Sequence, residues 1–272
     1  MGTTEFDRAT AVTALGDGAH RADSSPDWSA PRGPNGGYLA AIVLRAMQAE
    51  LADPARPARS LTLHYLRPPR DGELRIDVTI ERSGRRLSTL SARVSQEGRL
   101  CVLALAAFSE GFDRSVSFAA RMPDVSPWEA IEPFPPFPGM PAIAQRIEMR
   151  PALGAPPFSG AAEALTGGWL RLREPRALDE VALALYADAW LPALFPTLTS
   201  AVGVPTIDLT IHFRAPEAAA IADPDAPVLG VFRSTDAAEG LIEQDGELWS
   251  PDGVLLAQSR QLALLVPVGG GS

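Results

Sequence analysis

The chain has 272 residues, 46% of them apolar, enough to bury a large core in one sizeable domain or two modest ones. The net charge of −9, with basic residues scattered along the chain, excludes nucleic acid as the main partner. All 24 basic residues are arginine, so Schiff-base chemistry and a GxxxxGK[ST] phosphate loop, both of which need lysine, are excluded.

The N-terminal stretch MGTTEFDRATAV lacks the basic start and apolar run of a signal peptide. No apolar run reaches the ~18 residues of a membrane span. The single cysteine, Cys101, sits in LCVLALAAF and reads as a small buried hydrophobe. One cysteine allows no internal disulfide, and the expected location is the cytoplasm.

The first strong element is GGYLAAIVLRAMQAEL at 36–51, a helix with almost no polar face that must be buried on most sides. Four alternating runs follow: SLTLHYL, ELRIDVTIER, LSTLSARVSQ and LCVLALAAFS, broken at Asp71-Gly72, Ser83-Gly84 and Glu97-Gly98. They predict an antiparallel meander. Next comes PDVSPWEAIEPFPPFPGMP, with seven prolines from Pro123 to Pro141, which can be neither helix nor central strand. It reads as an extended linker whose aromatics, Trp128, Phe134 and Phe137, pack across a sheet edge. A second helix is expected at 178–195, LDEVALALYADAWLPALF, kinked or shortened by Pro192. Four further runs follow: IDLTIHF, VLGVFRST, GLIEQDGELW and VLLAQSRQLALLV. The expected organisation is 1–112 and 143–268 as two halves, 113–142 as linker and 269–272 as a flexible tail.

The two halves repeat each other. LTLHYLRPP at 61–69 returns as LTIHFRAP at 209–216. At this offset Tyr38 matches Tyr186, Leu61 Leu209, Thr62 Thr210, His64 His212 and Pro68 Pro216. Later the register drifts, with Arg82-Ser83 against Arg233-Ser234. One buried helix with one curved antiparallel sheet, written twice, is an α+β architecture.

Familiar catalytic signatures are missing: there is no GxSxG, no GxGxxG after a strand, and no metal-ligand spacing among three histidines and one cysteine. No metal or cofactor is expected. His64 and His212 occur in both copies, which favours a structural role. The repeat offers a better search, for positions where the copies disagree. Asp188 stands opposite Ala40, Thr206 opposite Ala58 and, in the drifted register, Gln261 opposite Ala106. A carboxylate in an apolar helix is costly unless paired or used. An aspartate with a hydroxyl and an amide can hold and deprotonate one water. The alternative is that Asp188 lies on a helix surface and that the abundant alanines coincide by chance.

The segments ALYADAWLPALFP, PTIDLTIHFRAP and GVLLAQSRQLALL resemble the second half of the type II acyl-CoA thioesterases, and PNGGYLAA at 34–41 resembles the start of their first helix. The resemblance implies a double hot-dog fold, each half a long helix wrapped by a curved antiparallel sheet. It also implies that Asp188, Thr206 and Gln261 bind and activate the attacking water. Backbone N–H groups near Gly36 and Gly37 are then expected to hold the oxyanion, with close packing as the alternative use of these glycines. The chain departs from the family at Leu209, where a histidine often stands. Acyl-CoA is the implied substrate, its acyl chain lying in an apolar channel between helix and sheet, and a homo-oligomer is expected. Two other functions remain open: a non-catalytic acyl-CoA or lipid binder, and an enoyl-CoA hydratase, which wants a histidine near Asp188.

Overall fold

A computed structural model describes residues 3–267 apart from 113–115, 117, 137–138 and 221–222. The tail at 269–272 and Phe137 lie outside the described residues. A one-turn helix α1 (Glu5–Ala9) leads into strands β1 (Thr13–Gly16) and β2 (Ala19–Ser24), then helix α2 (Gly36–Leu51). Strands β3 (Ala58–Tyr65), β4 (Gly72–Ser83), β5 (Leu87–Gln96) and β6 (Arg99–Ser109) complete the first half. The second half runs β7 (Ile147–Gly154), β8 (Leu165–Leu172), α3 (Glu180–Tyr186), β9 (Thr206–Phe213), β10 (Val228–Arg233), β11 (Leu241–Trp249) and β12 (Leu255–Leu264).

These twelve strands form one antiparallel sheet in the order β1-β2-β4-β5-β6-β3-β9-β12-β11-β10-β8-β7. The expected meander holds for β4-β5-β6 and for β10-β11-β12; β3 pairs with β6 rather than with β4, and β9 with β12 rather than with β10. This displacement puts β3 and β9 side by side at the centre and joins the halves through backbone hydrogen bonds. The halves are therefore not two separate sheets. Sequence alternation marks strands but not their order, so the chain alone does not reveal the swap.

The repeat is legible in the ladder. Thr62 pairs with Thr210, and their Oγ1 atoms stand 3.1 Å apart. Residues 148 apart thus meet at an approximate two-fold axis. The helices obey the same rule, because a Cβ on Gly37 would lie 2.5 Å from the Leu185 carbonyl oxygen. Antiparallel helices cross so closely only where one of them lacks a side chain.

Helix α2 is capped by Asn35, whose Oδ1 accepts the Tyr38 N–H at 3.0 Å, and it ends at Ala52 in the left-handed region. Leu39, Ile42, Val43, Leu44, Ala46 and Met47 are all buried, as the missing polar face requires. Helix α3 is capped by Asp179 but ends at Tyr186, well before the expected 195. Asp188 therefore lies in a turn after the helix, not within it. Pro192 has no N–H to give the Asp188 carbonyl, which instead accepts the Asn35 amide at 2.8 Å. No helix among the described residues is long and apolar enough to cross a membrane.

The linker crosses the β7 edge, where the Phe134 N–H donates to the Met149 carbonyl at 2.9 Å, and it also covers the outer face beyond. Trp128 packs against the guanidinium groups of Arg150 and Arg171, 4.1 and 4.7 Å from its ring. With Trp169, Leu229, Val231 and Trp249 it forms a cluster apart from the main core. Sheet register places Arg21, Arg75, Asp77 and Ser95 at the matching positions of the first half. That face is polar and needs no cover. Phe134 turns the other way, to Trp190 in the main core at 5.9 Å. The elements invisible in the sequence, β1, β2, β7 and β8, are short of alternating apolar residues: β2 reads AHRADS and β8 carries Gly167-Gly168.

Candidate active site

The start of α2, the turn after α3 and the inner ends of β9, β11 and β12 converge on Asp188. Its Oδ2 accepts the Gly37 N–H at 3.1 Å and the Asn35 amide at 3.1 Å. These donors stand at the positive end of a 16-residue helix, where a carboxylate is favoured. A Cβ on Gly36 would lie 2.7 Å from Asp188 Oδ2 and 3.2 Å from the Tyr65 hydroxyl. Both glycines are thus needed for approach: Gly36 by the carboxylate, Gly37 by the α3 backbone.

Thr206 reaches the cluster through a bulge. Strict alternation would turn it outward with Thr210 and His212. Between Thr206 and Asp208 the register slips, and Thr206 faces Ala263 on the inner side. Its Oγ1 accepts the Gln261 Nε2 at 2.5 Å. The first half carries the same slip between Ala58 and Ser60. The bulge is therefore inherited by both copies, and what the site adds is the hydroxyl. Gln261, almost fully buried, also receives the Gln244 amide on its Oε1 at 3.4 Å.

Burial pushes the Asp188 carboxyl up to about 6. The Gly37 N–H, the Gln261 amide, the Gly36 N–H and the Asn35 amide pull in the other direction and keep it from rising further. At neutral pH the group is ionised yet poised to take a proton, the property of a general base. Its side chain is only half-buried, so water can meet it. Tyr65 donates to the Gly36 carbonyl at 2.7 Å, and burial, then the Asp188 charge, holds its hydroxyl well above the usual range as a neutral donor.

The five residues expected from the sequence, Asp188, Thr206, Gln261, Gly36 and Gly37, thus share one place, with Gly37 N–H engaged by the carboxylate. Asn35, Tyr65 and Gln244 were missed. Asn35 and Tyr65 stand opposite Leu183 and Phe213 at the constant offset, so the copies disagree there too, with the polar residue in the first half. Gln244 was hidden by drift: the constant offset sets it against Gln96, but the ladder sets it against Leu90. The ladder also confirms the pairing of Gln261 with Ala106, since these two oppose Leu209 and Leu61.

His64 and His212 are exposed on the outer face and reach nothing in the cluster. His20 is buried against Glu50 at 3.1 Å, in the first half. Among the described residues no three His, Cys, Asp or Glu side chains converge as metal ligands would. Two surface pockets adjoin the N-terminal segment, and neither is lined by a residue of the cluster.

Family models of the acyl-CoA thioesterase N-terminal and C-terminal domains match residues 24–109 and 119–265, in that order. The chain belongs to the acyl-CoA thioesterase family. Among solved structures it is similar to a hot-dog protein of unknown function from Alicyclobacillus acidocaldarius, with 29% identity, TM-score 0.88 and 98% and 100% of the two chains covered. It is also similar to a provisionally assigned thioesterase II from Thermobifida fusca YX (26% identity, TM-score 0.83, coverage 97% and 98%). The acyl-CoA thioesterase II TesB2 from Mycobacterium marinum shares the fold at 20% identity and TM-score 0.78, with 97% and 100% covered. No curated protein sequence matches the chain. The fold is thus the double hot-dog α+β architecture, the family's two domains fused through β3 and β9.

Proposed function

We propose that this family member hydrolyses the thioester of an acyl-CoA with a water activated by Asp188 and aligned by Thr206 and Gln261. The observation that carries the reading is a carboxyl held near 6 beside a hydroxyl and an amide joined by a 2.5 Å hydrogen bond. Asp188 takes a proton from water as the water oxygen bonds to the acyl carbon. The tetrahedral intermediate then breaks its carbon–sulfur bond, and the departing thiolate recovers the proton from Asp188. The products are a free carboxylic acid and coenzyme A.

Gly36 and Gly37 supply the oxyanion donors in this reading. Gly37 N–H rests on Asp188 while that group is charged. Once Asp188 is protonated, its hold weakens at the moment the acyl oxygen becomes negative. Arginines are the only side chains permanently available to the coenzyme A phosphates. The expected compartment is the cytoplasm, and the expected assembly a homo-oligomer. The outer strands β1 and β7 stand at the two ends of the sheet, where a further strand could pair, and a monomeric mass by light scattering would refute the assembly.

The test is thiol release from acyl-CoAs of several chain lengths. Binding without hydrolysis across the panel would sink the enzyme and favour the non-catalytic binder. The hydratase reading lacks its histidine, since all three lie away from Asp188.

A further inference from the structure

We infer that Gln244 is a positioning residue that fixes which end of the Gln261 amide faces the reacting water. The inference rests on the hydrolytic reading above. A backbone N–H can only donate, whereas a glutamine amide can be turned either way. The Ala193 N–H donates to Gln244 Oε1 at 2.7 Å. That contact forces Gln244 Nε2 to the far side, where it donates to Gln261 Oε1 at 3.4 Å. Gln261 must then turn its own Nε2 to Thr206 Oγ1 at 2.5 Å. Because Thr206 accepts this bond, its hydroxyl hydrogen is left for a group inside the site. One buried N–H thus sets the polarity of a chain two glutamines long.

The source of that N–H is the early end of α3. The turn that follows Tyr186 delivers Asp188 near its start and the fully buried Ala193 near its end, just after Pro192. In the first half the counterpart of Ala193 is Arg45, inside the continuous helix α2, where the backbone N–H serves the helix itself. The counterpart of Gln244 is Leu90, buried and unable to donate. Donor and relay are therefore both absent from the half that lacks Asp188.

Two variants separate orientation from packing. Gln244→Leu installs the first-half residue and leaves Gln261 free to rotate. Gln244→Glu keeps the shape but offers only acceptors, so Gln261 must present Nε2 to position 244 and turn Oε1 on Thr206. We expect kcat to fall about tenfold in Gln244→Leu and further in Gln244→Glu, short of the ~10²–10³ seen when a direct donor is lost. KM should stay within about twofold, because Gln244 acts through Gln261. The acid limb of the pH profile should move to higher pH in both, since Asp188 loses the Gln261 donor.

Gln244→Met is a second apolar variant should Gln244→Leu fold poorly. Side-chain amide NMR without substrate should show the Gln261 signals displaced in Gln244→Glu. If the parent hydrolyses acyl-CoA but the variants keep its kcat and acid limb, the inference is overturned and the thioesterase reading stands. It is likewise overturned if they lose thermal stability and kcat together with the limb and Gln261 signals unmoved. If the parent hydrolyses no acyl-CoA, the reading of the site falls, and this inference with it.

Discussion

The approximate two-fold axis gives every residue of the site a counterpart, so the molecule contains its own control. Around Asp188 stand Thr206, Gln261, Gln244, Asn35 and Tyr65. Around its counterpart, Ala40, stand Ala58, Ala106, Leu90, Leu183 and Phe213, all buried. Six polar groups in one place face six apolar ones in the other. The strands share their backbone, down to the bulge after Thr206 and after Ala58, but α2 runs on through Ala40 where α3 has ended before Asp188. Side-chain chemistry, together with the early end of α3, distinguishes a place that can hold water from one that is core. Fusing the halves allowed this. In a dimer of identical chains both places must carry the same residues, and each polar cluster adds its desolvation cost. Here one place keeps the reactive groups and the other contributes packing.

The comparison is broken most severely by removing the base. Asp188→Asn should lower kcat by at least about 10²-fold in thiol release, and little change would refute its role. The same variant should be more stable than the parent at pH 8 but not at pH 4. Burial raises the Asp188 carboxyl from 3.8 to about 6, so its charged form is the disfavoured one in the fold. Its cost is absent below pH 4, grows between pH 4 and 6 and is fully present above 6. Relief at pH 8 should be on the order of 1 kcal/mol, reduced because the residue is partly open to solvent.

The converse substitution, Ala40→Asp, places a carboxylate at the apolar counterpart. There no helix start with free N–H groups awaits it, because Ala184 and Leu185 are interior residues of α3. A loss of about 3–5 kcal/mol is expected in urea unfolding. A loss below about 1 kcal/mol would mean that the two places differ less than their side chains imply.

A smaller effect is expected when the site is moved one step towards its counterpart. Gln261→Ala copies Ala106. It should lower kcat by about 10²-fold with little loss of stability, the lower end of what removal of one donor costs, because Asp188 remains. Thr206→Ala, copying Ala58, should do the same, and the double variant should fall short of the product because the two groups act through one hydrogen bond.

Much of this was legible in the chain, and the exceptions have physical causes. The helix at 36–51 and all eight strands flanked by turn signals could be read because periodicity and glycine breaks agree there. Asp188, Thr206 and Gln261 stood out because the copies disagree at them. The end of α3 was misplaced because apolar periodicity runs on through ADAWLPALF, while the chain turns where Pro192 leaves a carbonyl unserved. Strand order escaped because β3 and β9 look the same whether they pair with a sequence neighbour or with each other. Gln244 escaped because loop lengths shift its counterpart.

The gentlest break concerns Asn35, which performs two tasks at once. Its Oδ1 caps α2, and its Nδ2 serves both the carbonyl and the carboxylate of Asp188. Asn35→Ser keeps a capping oxygen, so helix stability should change by no more than a few tenths of a kcal/mol. The serine is too short to replace the amide. Asp188 then loses one donor to its charged form, and its carboxyl must rise further. Activity depends on the ionised form, so the acid limb of kcat/KM, near pH 6 in the parent, should move to higher pH by about half a unit. Activity at pH 8 should be nearly unchanged. A limb that stays in place would mean that Gly37 and Gln261 alone set the charge state of Asp188, and that Asn35 serves only the backbone.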